Sequence, residues 1–211
     1  MKLRGWLRTN LKLYALLGDS TRGLRERLGL ADSAEDKYEE LDEMAAVNPD
    51  LVFTYKQKPI NTILSPSYRR ETIDLNHPIA KEGFEIHKKL FSEMDKKLKE
   101  RNKKFVIAII PTKEAIYGKL MTDLAEGGMT DELKNTVDIT NGLIQETLDF
   151  CVTNNIYCHD MTADLAGALK NNVKQFSDGL GSHPLAAGYR EMAKSIYGYL
   201  AEKVYGIDGL Q

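Results

Sequence analysis

Two stretches of this sequence hold the side chains of a hydroxyl-nucleophile site. Near one end, Gly18-Asp19-Ser20 sets a serine behind a glycine and a carboxylate. Near the other, Phe176-Ser177-Asp178-Gly179-Leu180-Gly181-Ser182-His183-Pro184 carries a carboxylate and an imidazole on one loop. A serine hydroxyl is a weak nucleophile at its ordinary pKa. It reacts when a histidine takes its proton and a carboxylate fixes that histidine's tautomer. In such a site His183 is the general base, Asp178 the acid that orients it, and Ser20 the nucleophile. The chemistry is acyl transfer, either to water or to another hydroxyl. Taken bare, an Asp-loop-His is also an ordinary helix entry with an exposed histidine.

Other residues could border such a site. Lys113, Glu114 and, one turn later, Tyr117 could line a substrate cleft. An ion pair at a helix entry accounts for Lys113 and Glu114 equally well, and solvated surface positions account better for Tyr117 and Arg69. His159-Asp160 has the composition of a metal pair, but two ligands do not make a metal site. No metal and no cofactor are expected.

The elements that must position these groups read as follows. Phe105-Val106-Ile107-Ala108-Ile109-Ile110 is apolar throughout and ends at Pro111. A strand without polar alternation is expected to be buried on both faces, as a central parallel strand. Pro78 opens a helix whose apolar face is Ile86, Leu90, Met94 and Leu98. Thr130 caps another, bearing Leu133, Val137, Ile144, Leu148 and Cys151. A short strand at Ile156-Tyr157-Cys158, a helix from Ala163 to Leu169 and a last helix opened by Pro184 follow. Alternating helices and strands predict a parallel sheet with crossover helices. In such sheets chemistry sits past the carboxyl ends of the strands, where Pro111–Glu114 and His159-Asp160 fall. Leu51–Tyr55 and Thr62–Leu64 are β-prone, and Asn48-Pro49-Asp50 is a turn signal. Residues 1–50 read as a basic and then acidic helical segment, and residues 51–211 as the α/β domain.

Bulk properties exclude several classes. The 211 residues suffice for one domain with a core. A net charge of −2 gives no global field for nucleic acid or an anionic membrane. No apolar run approaches the ~18 residues of a membrane span, and none near the start has the length of a signal-peptide core. The two cysteines, Cys151 and Cys158, show neither zinc-ligand nor disulfide-framework spacing and are expected to be small buried side chains.

The wording of three stretches adds a resemblance. DGLGSHPLAAGYREMAKSIYGYL (178–200) resembles the last block of the SGNH (GDSL-type) hydrolases, with Ala187-Gly188-Tyr189 its specific part. ILSPSYRRETIDLNHPIAKEGFEIHKKLF (63–91) and FVIAIIPTKEAIYGKLM (105–121) look like a bacterial subgroup of that family with an IPTKE strand end. The resemblance covers roughly residues 50–205. It implies a three-layer α/β/α fold with a parallel sheet, SGNH/flavodoxin-like. It also implies a nucleophilic serine in Gly-Asp-Ser after the first strand, a glycine after the second, and an asparagine in Gly-x-Asn-Asp after the third. The serine amide, the glycine amide and the asparagine would form the oxyanion hole.

This chain departs from that pattern. Four residues, not two, separate Asp178 from His183. No Asn-Asp dipeptide exists. Leu11–Leu17, which should be the nucleophile strand, holds no Val, Ile or Thr and fits the helical stripe Leu3, Leu7, Tyr14, Leu17, Leu24, Leu28. Ser20 is therefore expected to be a coincidental match. The expected domain is incomplete at its N-terminal end, or has lost its nucleophile. The expected activity is that of a serine esterase acting on O-acetyl groups of carbohydrate, inactive or incomplete as this chain alone. Two other readings stand beside it: a non-catalytic binding or structural module, and a carbohydrate O-acetyltransferase. Expected partners are a small-molecule or carbohydrate ester and a missing N-terminal portion of the same domain, with no nucleic acid. Family members are often extracytoplasmic.

Overall fold

A computed structural model describes residues 44–48 and 50–206. Ser20, the expected helix over residues 12–28 and most of the acidic helix fall outside the described residues.

Strands β1 (Phe53–Tyr55) and β2 (Thr62–Leu64) pair antiparallel, Phe53 opposite Leu64. Helix α1 (Pro66–Ile73) follows directly and α2 (Pro78–Lys99) begins at its expected proline. Strand β3 (Val106–Ile109) runs into α3 (Lys113–Asp123). Helix α4 (Asp131–Asn154) starts at Thr130, whose side chain accepts from the Leu133 N–H. It ends at Asn155, which takes the left-handed conformation at φ 52°. Strand β4 (Tyr157–Asp160) pairs parallel with β3, Ile107 opposite Cys158. Helices α5 (Thr162–Lys170) and α6 (Ala186–Tyr199) close the order, and a π-helical turn, Leu200–Val204, continues α6.

Among the described residues the fold is mixed α/β with two two-stranded sheets, one antiparallel and one parallel. The parallel β3–β4 pair was expected, but a central β3 was not found. Among the described residues β3 pairs with β4 alone, Ala108 is exposed and Ile110 is 60% exposed. The apolar run is buried only where Ile107 meets Cys151 and Ile156, because no described element covers its other side. Helix α2 behaves likewise. Ile86, Leu90 and Met94, expected to face a core, are exposed, and so is Ile79 on the same stripe.

The main core lies elsewhere. Fourteen buried residues, among them Tyr55, Leu64, Ile116, Tyr117, Leu120, Leu133, Leu165, Leu169, Phe176 and Met192, pack β1, β2, α3, α4, α5 and α6 together. Tyr117 stands at its middle, edge-on to Tyr55 with ring centroids 5.3 Å apart and 6.3 Å from Phe176.

Two local expectations need correcting. Pro184 does not open α6. It bridges antiparallel to Phe176, and the helix begins two residues on. Cys151 and Cys158 are not two independent buried thiols but are joined, with Cα atoms 6.0 Å apart. Asn155 reverses the chain between the end of α4 and β4, which brings the pair together; spacing alone carried no such sign.

Candidate functional site

The segment from Gln175 to Gly188 is built from its base outward. Phe176 bridges Pro184, and the Leu185 N–H donates to the Gln175 carbonyl at 2.7 Å. Gln175 is fully buried, and its side-chain amide donates to the Leu165 carbonyl. Gly188 packs against this base. A Cβ there would stand 2.6 Å from the Gln175 carbonyl oxygen and 2.9 Å from Pro184 Cβ, so only glycine fits without movement. The loop between these anchors carries Asp178 and His183.

Lys113 holds the middle of the loop. Pro111 cannot extend β3, and Thr112 caps α3 by accepting from the Ala115 N–H at 3.2 Å. Lys113, the first residue of α3, is 3% exposed. Its ammonium donates to the carbonyls of Ile63 at 3.0 Å, Gly179 at 2.9 Å and Gly181 at 3.2 Å. Burial lowers its pKa to about 8. The charges of Glu114 and Asp178 oppose that shift and Arg69 adds to it. The Phe176 ring lies 5.8 Å from the ammonium. Thr62 fastens the loop once more, its hydroxyl donating to the Ser177 carbonyl at 3.1 Å.

Glu114 turns the other way. It accepts from the Ser65 N–H at 3.0 Å and lies 3.6 Å from Arg69 Nε. Lys113 and Glu114 are therefore both buried and engaged with different partners, instead of pairing with each other or facing an open cleft. Tyr117, expected at a cleft or on the surface, is 0% exposed, and its hydroxyl donates to the Ile60 carbonyl at 3.0 Å.

The acid and base stand on one loop but do not touch. Asp178 pairs with Lys174 at 2.6 Å. His183 is exposed and has no hydrogen-bond or ion-pair partner among the described residues. Ser182 is half-buried beside it. The four residues between Asp178 and His183 let the carboxylate turn back to Lys174.

A second cluster was missed from the sequence. His159 from β4, Asp164 from α5 and Ser195 from α6 meet beside a groove of about 530 Å³ that Lys194 and Lys203 also border. His159 Nε2 is 2.7 Å from Ser195 Oγ, which donates to Asp164 Oδ2 at 2.5 Å, and the imidazole stacks on Tyr199 at 4.7 Å. A hydroxyl has one proton, and here it donates that proton in the hydrogen bond to the carboxylate, which leaves its oxygen to accept from His159 in the tautomer with hydrogen on Nε2. In this arrangement His159 cannot deprotonate Ser195, and the three groups form a tie between β4, α5 and α6. His159 and Ser195 lie 36 positions apart, so no local spacing announced them.

Among the described residues no cluster of His, Cys, Asp and Glu could hold a metal, and no helix is long and apolar enough to cross a membrane. In comparisons with known proteins the chain matches no protein-family model, no curated protein and no solved structure.

Proposed function

We propose that this chain carries the acid–base part of an SGNH-like serine esterase site, acting on O-acetyl groups of carbohydrate. His183 is the general base and Asp178 the acid that would turn to it from Lys174. The fold that goes with this reading is a three-layer α/β/α domain whose parallel sheet is larger than the β3–β4 pair. The exposed apolar side of β3 supports it. The observation that carries the reading is the built loop: a bridge, a buried glutamine and a buried lysine hold an exposed, unpartnered histidine at a helix entry.

The same chemistry serves transfer to a sugar hydroxyl, so a carbohydrate O-acetyltransferase is the variant of this reading. The Asp178–Lys174 pair favours the other alternative, a non-catalytic SGNH-like binding or structural module, since it leaves His183 without an orienting acid. The test is a fluorophosphonate probe with the adduct located by mass spectrometry. The chain alone, folded, is expected to take up little or no label. Its sequence has no Gly-x-Asn-Asp block, and losing one oxyanion donor costs about a hundredfold or more. Stoichiometric labelling of Ser20 that disappears in His183→Ala would show a complete site and overturn the incomplete reading. Labelling that survives His183→Ala would remove His183 from the chemistry.

A further inference from the structure

We infer that Lys113 is the positioning residue of the Asp178–His183 loop: by gathering the Gly179 and Gly181 carbonyls onto the Ile63 carbonyl of β2, it sets where His183 stands. The inference rests on the acid–base reading of that loop. Lysine is almost never fully buried without a paired carboxylate, and no carboxylate hydrogen-bonds this one. Its hydrogen bonds go to three backbone carbonyls, two of them on the loop. The loop cannot hold itself. Gly179 and Gly181 have no side chains, Leu180 between them is exposed, and His183 lies two residues beyond. Without N–H donors at this point the carbonyls that turn inward would be left unsatisfied, which costs more than the hydrogen bonds themselves give. The charge faces Glu114 on its own helix, Arg69 of α1 and Asp178 of the loop, and Asp178 is already paired with Lys174.

The loop can be read without any turnover. The only two cysteines are bonded to each other, so Leu180→Cys supplies a single free thiol for a nitroxide label. In this background Lys113→Met is expected to raise the mobile component of the spin-label spectrum about tenfold or more, the worth of leaving buried carbonyls without a donor. A second arm uses the protein with Lys113 intact. An opened loop returns the lysine to water, where it binds its proton more tightly than in the closed loop. The mobile component is therefore expected to fall between about pH 7.5 and about pH 9.5, by up to about tenfold per pH unit. Lys113→Gln, if folded, is expected to show no such pH dependence.

A purely structural lysine would lower the denaturation midpoint and leave the spectrum at position 180 native and flat with pH. That result overturns the inference. If Lys113→Met does not fold, Lys113→Gln, whose amide is too short to reach the three carbonyls, is read in its place and is expected to raise the mobile component likewise. A failed esterase reading would appear in the probe experiment and leave the spin-label result standing, so the two failures can be told apart.

Discussion

The core around Tyr117 and the region around β3 show how differently one chain can treat two apolar stretches. In the first, residues from six elements close over one another, and even the charged Lys113 and Glu114 are sealed in with partners. In the second, an apolar strand and an apolar helix stripe bury Ile107 alone of their apolar side chains among the described residues and leave Ala108, Ile110, Ile86, Leu90 and Met94 exposed. The sequences predict the reverse order, since FVIAII is the more hydrophobic. The lesson is that burial follows neighbours and not hydrophobicity. A strand is buried only when elements exist on both of its sides.

The largest effect should come from breaking the closed region at its centre. Tyr117→Ala removes a fully buried ring that touches Tyr55 and Phe176, and should cost about 3–5 kcal/mol. Ile110→Ala, at 60% exposure, should change stability by less than about 0.5 kcal/mol. Urea denaturation of both variants checks the pair, and equal losses would mean that β3 is covered after all.

Glycines at the two ends of α6 sharpen the contrast. Gly188→Ala pushes a methyl group into the Gln175 carbonyl and Pro184 and should cost about 1–3 kcal/mol. Gly198→Ala meets nothing within 4 Å and should be neutral or stabilising by up to about 1 kcal/mol. The difference in denaturation midpoint between them is the measurement.

Lys113 makes the closed region pH-dependent. Its pKa is lowered from 10.5 to about 8 by burial, so between those values the unfolded chain binds more protons than the folded one. Stability should therefore rise with pH above about 8, by at most about 1.4 kcal/mol per unit, and lose that gain as pH falls back through 8. Tyr55 and Tyr199 act oppositely, their pKa values raised chiefly by burial, so their contribution falls away only above about pH 10. Denaturation from about pH 7.5 to about pH 9.5 isolates the lysine, and Lys113→Met should abolish the rise.

The smallest effect is expected at the His159 groove. Ser195→Ala removes the hydroxyl between His159 and Asp164 and should cost about 0.5–1.5 kcal/mol. Fluorophosphonate labelling of Ser195 in the unchanged protein would contradict the proton assignment that makes it a tie.

The sequence by itself determined the elements with local causes. Pro78 started α2, Thr130 capped α4, and β-prone residues marked Phe53–Tyr55 and Thr62–Leu64. It also put Asp178 and His183 on one glycine-rich loop, because both belong to one short stretch. Tertiary structure alone decided the rest. That Lys113 reaches carbonyls 50, 66 and 68 positions away follows from how α3 lies against β2 and the loop. Tyr117 is core and not surface because Ile60 brings a carbonyl to its hydroxyl. Asp178 faces Lys174 and not His183, on a loop whose two ends are tied by the Phe176–Pro184 bridge. Local rules act through a few bonds of backbone, and long-range ones act through packing, which no spacing of letters records.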